Sequence, residues 1–213
     1  MALTFQDVID ALVNTVQRDD QIPYYLGYAN GAVRELARMH SFLQMKAVGT
    51  GSVSIGQTRA TLPSDFKELQ NGRYPISDSV GGASASLVPV FTRSEVEKLL
   101  PVGLVAPTTF IYTQGLSGGT SAYYLDLAAP ATAAHTLTVY YFAYPSYATD
   151  TTQTTPLITY YFDLVREKAL SLAFAAINDP VYMLHERQFL TEFSQQTGED
   201  VRQALAALNP AKE

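Results

Sequence analysis

The chain has 213 residues, 14 of them basic and 20 acidic, a net charge of −6, and neither cysteine nor tryptophan. An acidic sequence with no basic run lacks the electrostatic footprint of a nucleic-acid binder, and the absence of cysteine excludes a disulfide scaffold, thiol catalysis and zinc–thiolate sites. Hydrophobic residues make up 47% and charged residues only 16%, against roughly 25% charged in an ordinary soluble domain.

The length buries a good core and suits one embellished domain or two small ones. The shortage of charge is concentrated in one place. From Leu99 to Val165 there is no Lys or Arg, and the only acids are Asp126, Asp150 and Asp163. Such a surface is expected to be partly covered by other chains; the plainer alternative is a Ser/Thr/Tyr-rich surface kept soluble by hydrogen bonding. The start, Met1 to Asp7, has no basic segment and meets an acid early, unlike a signal peptide. No run reaches the ~18 apolar residues of a membrane span. The expected setting is a cytosol, or a particle assembled in one.

Along the chain, Thr4 is placed to cap a first helix carrying Phe5, Val8, Ile9, Leu12, Val13 and Val16 at helical spacing. A second helix is expected from Pro23 to about Leu43, with Tyr25, Ala29, Ala32, Val33, Leu36 and Ala37 on its apolar face and Gly27 and Gly31 allowing close helix approach. From Gly49 the period becomes two. Val53 and Ile55, a turn at Gly56-Gln57-Thr58, and Ala60 and Leu62 together predict a hairpin. It ends in Leu62-Pro63-Ser64-Asp65-Phe66, where Pro63 holds Leu62 extended, Ser64 and Asp65 suit a turn, and Phe66 re-anchors the chain.

Residues 77–86 read as a flexible loop, Leu87 to Phe91 as a short strand, and Ser94 with Glu97 as the cap of a short helix to Leu100. Strands are predicted at about 109–114, 122–127 and 135–143, then a polar linker from Thr149 to Pro156 and a helix from Leu157 to about Ile177. Asp179 and Pro180 start a last helix that could reach Leu208 and bend near Gly198. The pattern predicts an α+β chain: residues 1–48 and 151–213 form a helical bundle around an inserted, antiparallel β-rich domain, 49–150.

No segment reads as an active site. Gly115-Leu116-Ser117-Gly118-Gly119, followed by Asp126 and His135, matches a nucleophile elbow, but that motif needs a helix after its serine and a strand is predicted instead. His40, His135 and His185 lack metal spacing and are expected at a surface or interface. Asp163 and Glu167, flanked by Arg166 and Lys168, read as a solvated helix face. The Gly-rich segments lack the Lys-Ser/Thr of a phosphate loop. The tyrosines between Tyr123 and Tyr161 lack the cations that accompany base stacking, so strand and interface packing suits them better. Catalytic, cofactor and metal residues are therefore all expected to be absent.

Three segments carry a resemblance: Leu62-Pro63-Ser64-Asp65-Phe66; Pro107-Thr108-Thr109-Phe110-Ile111-Tyr112; and Tyr124-Leu125-Asp126-Leu127 through Leu137-Thr138-Val139-Tyr140-Tyr141. With their flanking helices they resemble the head-to-tail adaptor (connector) proteins of tailed bacteriophages, of the tail-tubular-A-like group. The resemblance implies a structural virion protein at the neck, made in the host cytoplasm. It implies a ring, usually of twelve copies, that meets the portal protein and the next tail component and passes double-stranded DNA without binding it specifically. In such proteins Leu62, Pro63, Asp65 and Phe66 would brace a structural corner. Phe189, Phe193, Val201, Leu205 and Leu208 would be candidates for contact with the portal or a neighbouring copy. The alternatives are a tail-completion protein on the tail tube, and a non-viral carbohydrate- or ligand-binding α+β module.

Overall fold

The computed structural model describes residues 2–70, 75–84, 86–92, 94–95, 98, 109–117 and 120–198. The architecture is α+β, as expected, and the chain divides into two compact units: 1–44 together with 145–213, and 45–144.

The first unit is helical. Helix α1 (Phe5–Val16) buries Phe5, Val8, Ile9, Leu12 and Val16 of the stripe predicted from its spacing, whereas Val13 is exposed. Asp7 accepts from both the main-chain N–H and the hydroxyl of Thr4, at 2.7 and 2.9 Å, which holds its carboxyl below the usual range. A 3₁₀ turn containing Pro23 (Asp19–Tyr24) leads into α2 (Tyr25–Met39). That helix starts two residues after Pro23 and ends at His40, short of the expected Leu43, because His40 is extended. Of its two glycines, only Gly31 marks a close approach: a side chain there would meet Leu172 at 3.2 Å, whereas nothing lies near Gly27.

The predicted helix from Leu157 is broken. Pro156–Tyr160 forms α3, capped by Thr155, and Phe162–Ala176 forms α4 after a non-helical Tyr161. α4 packs against α1, α2 and α5 (Tyr182–Thr197). A helix enclosed on several sides loses its one-sided pattern, and α4 buries Glu167, Lys168 and Ser171 along with its apolar residues. α5 is capped at Gly198, which adopts φ 71° in the left-handed region, and the expected continuation to Leu208 lies outside the described residues. Residues 199–213, with Val201, Leu205 and Leu208, lie outside the described residues.

The second unit is built from two sheets. The first orders β1 (Lys46–Val53), β9 (His135–Ala143), β4 (Ile76–Val80) and β5 (Ser86–Val88), with β3 (Phe66–Leu69) also on β9. The second orders β2 (Arg59–Thr61), β8 (Thr120–Leu127), β7 (Phe110–Ser117) and β6 (Val90–Thr92), with β6 parallel to β7. Val53, Phe66, Ile76, Phe110, Leu125, Leu137 and Val139 give both sheets a single apolar core.

Three local expectations fail here. The hairpin around Gly56 does not exist: Gly56 (φ 82°) turns the chain, but β1 pairs with β9 and β2 with β8, so the turn carries the chain from one sheet to the other. The segment 77–86 is not a loop; β4 and β5 pair as a hairpin across Gly81 and Gly82, both at positive φ. Its polar letters hid a strand because β4 alternates buried Ile76 and Asp78 with Ser77 and Ser79. Near residue 94, Thr92 N–H and hydroxyl both donate to Glu95 Oε2 at 2.7 Å, while Glu97, the expected partner of Ser94 in the cap, lies outside the described residues. Pro89 separates β5 from β6, splitting the predicted 87–91 strand between the sheets.

Candidate functional site

The corner after β2 draws together β1, β3, β7, β8 and β9 of the β unit. Pro63 C=O accepts from Phe66 N–H at 3.0 Å, closing the turn through the main chain. The Asp65 side chain is used elsewhere: Tyr141 hydroxyl donates to its Oδ1 at 2.9 Å, and Asp65 C=O accepts from Tyr144 N–H at 2.7 Å. Phe66, 5% exposed, stacks on Tyr141 at 5.5 Å between ring centroids and touches Tyr112 and Tyr123. Tyr112 and Tyr123 are themselves stacked, with planes 6° apart. Burial, and then the Asp65 carboxylate, push the Tyr141 hydroxyl up to about 12; burial also raises Tyr112. Beneath the turn lies Gly49 of β1, where a side chain would stand 2.6 Å from Pro63 Cγ. Leu62 is half-buried against the same core.

Sequence reading placed Leu62, Pro63, Asp65 and Phe66 at this corner but missed Gly49 and Tyr141, which complete it. No local pattern could have found them, since Tyr141 lies 76 residues from Asp65.

The buried ionisable groups were also misread. Glu167, 3% exposed, is not on a solvated face: it accepts from Arg166 and bonds His185 Nδ1 at 2.8 Å. Lys168 Nζ donates to both oxygens of Glu186, at 2.8 and 2.9 Å, and Ser171 donates to Glu186 Oε2 at 2.7 Å. α4 and α5 are therefore joined by a polar seam. The helical periodicity shows which residues share a face but not which face meets another helix. In the β unit His135 Nδ1 and Asp78 Oδ2 share a hydrogen bond of 2.7 Å, both side chains being buried, while Phe110 packs edge-on against the imidazole. So His135 and His185 serve the interior rather than a surface. His40 packs edge-on against Phe42 and Phe193.

The elbow pattern lacks the structural context its chemistry requires. β8 follows Ser117 where a helix is required, Asp126 is engaged by Arg59 and Thr113, and His135 is held by Asp78. Among the described residues no three His, Asp or Glu side chains are placed to hold a metal, and no helix is long and apolar enough to cross a membrane.

Phe189 and Phe193 require a correction. Both are fully buried, with Phe193 against His40 and Phe189 under the Lys168 ammonium. They supply the core of the helical unit and cannot present a docking surface. The segment leading into α3 is tied down instead by Asn30, which donates to Ala148 C=O at 3.0 Å and accepts from Ala148 N–H at 2.8 Å. Main-chain bonds from Phe5 and Gln6 to Gln153 and Thr151 satisfy the first donors of α1. An open groove of about 320 Å³ lies there, lined by Phe5, Tyr147 and the segment's prolines and hydroxyls.

The chain belongs to the SU10 adaptor protein family, whose model matches residues 3–211, and is thus a bacteriophage adaptor protein. No curated protein matches it.

Proposed function

We propose that this adaptor is a structural, non-enzymatic component of the virion neck. It forms a closed ring, of twelve copies by resemblance, below the portal, joins the head to the next tail component and extends the DNA channel. The observation that carries this reading is the adaptor-family match over residues 3–211, nearly the whole of the given chain. The charge distribution supports it. Acids outnumber bases by six, and a strongly cationic wall would hold the passing duplex rather than release it.

Of the apolar residues expected to meet the portal or a neighbouring copy, Val201, Leu205 and Leu208 keep that proposed role. The test has two parts. A reconstruction of the native particle should show identical copies in lateral contact between portal and tail; a subunit without such contacts refutes the ring. Truncation after Thr197 should weaken binding to purified portal rings; undiminished binding refutes the docking role of the C-terminal stretch.

A further inference from the structure

The first sheet leaves one long edge open. β1 pairs with β9 from Lys46 opposite Phe142 to Val53 opposite His135, and with no other strand among the described residues. Which groups face outward follows from the far side of β9. Tyr140 N–H donates to Pro75 C=O at 2.9 Å and its own carbonyl accepts from Gln70 N–H at 3.1 Å, so both point away from β1. Tyr140 stands opposite Val48, making theirs a non-hydrogen-bonded pair. By the alternation of an antiparallel ladder, the N–H and C=O groups of Lys46, Val48, Thr50 and Ser52 all point to the outer edge. Among the described residues none of them has a partner.

The other end of the sheet is protected. β5 has three residues, and Pro89, which follows it, has no N–H to offer. β1 has eight residues, no proline, no bulge, and a charge only at Lys46, its first position. Natural sheets usually blunt such an edge with short strands, prolines, charges or bulges; this one is left available. The side chains on the same positions are exposed, Val48 to 62%.

Charge argues for the occupant. Residues 45–144 hold six acidic and six basic side chains, so the whole net charge of −6 belongs to the other unit. A copy of this neutral unit meets no net repulsion here, whereas a strongly charged partner gains no attraction. Val48, Thr50 and Ser52 leave recognition to main-chain hydrogen bonds, the mode by which an extended segment adds to a sheet. We propose that the outer edge of β1 receives an extended segment of a neighbouring copy of this chain, so that the sheet continues across the subunit boundary. This rests on the ring reading above.

The test compares amide hydrogen exchange at Val48 and Thr50 in the free subunit and in the assembled ring, with Val48→Pro and Val48→Thr as variants. The amides should exchange at least tenfold more slowly in the ring. Val48→Pro should keep its secondary structure, because an outward-facing edge position tolerates proline, yet lose ring formation at least tenfold, while Val48→Thr assembles normally. Rings in which both amides exchange as fast as in the free subunit overturn the edge proposal and leave the ring reading standing. Normal assembly of Val48→Pro does the same. Wild-type protein that forms no ring, alone or with portal present, overturns both.

Discussion

The ring of Pro63 occupies the space that a side chain on Gly49 would need. A conspicuous turn motif is thus matched by an inconspicuous glycine 14 positions earlier, on another strand. Gly49→Ala should force apart β1 and the corner, since the new methyl would also stand 3.1 Å from the Tyr141 ring. Overpacking of this kind costs about 1–3 kcal/mol, readable as a lower urea midpoint with unchanged slope. A midpoint equal to wild type would show that the corner moves freely.

Phe66→Ala should be more severe, about 3–5 kcal/mol, because Phe66 is buried among Tyr112, Tyr123 and Tyr141. Equilibrium denaturation of the two variants separately and together should show non-additive losses, as both act on one packed corner.

Tyr141 makes the corner sensitive to alkali. Its hydroxyl is pushed up to about 12 from an ordinary value of 10.0, first by burial and then by Asp65. A folded-state value raised above the unfolded one means the contribution is complete below about pH 10 and is lost as pH rises towards 12. Wild-type stability should therefore fall across that interval, and Tyr141→Phe should show a smaller fall. At neutral pH the same variant should lose about 1–3 kcal/mol for the bond to a carboxylate. Parallel pH dependence in the two proteins would assign the alkaline loss to other groups.

The Lys168–Glu186 pair should behave as a buried ion pair does. Glu186→Ala leaves the Lys168 ammonium with Glu35 Oε1, at 3.7 Å, as its remaining carboxylate among the described residues and should cost up to about 3–5 kcal/mol, whereas Lys168→Met with Glu186→Leu should cost much less or nothing. A double-mutant cycle in urea measures the difference, and a coupling near zero would show that the pair does not join the helices.

Asn30→Ala should unseat the segment before α3, since it leaves both main-chain groups of Ala148 without their partner. Each such orphan costs about 1–3 kcal/mol. Faster amide exchange at Ala148, and at the α1 amides of Phe5 and Gln6 that the segment covers, checks this outcome.

What the sequence determined by itself was whatever depends on near neighbours. The stripe of α1, the alternation of β9 and the turn before Phe66 follow from side-chain spacing and proline geometry, and all three were legible. The tertiary structure alone decided which elements meet. Polar β4 became an inner strand because Asp78 finds His135, 57 residues away. Glu167 and Lys168 entered the interior because α5 brings His185 and Glu186 to them. Phe189 and Phe193 became core rather than interface for the same reason, being covered by their own helical unit. Burial of a charge or an aromatic ring depends on a partner distant in sequence, and local periodicity carries no information about where that partner will be.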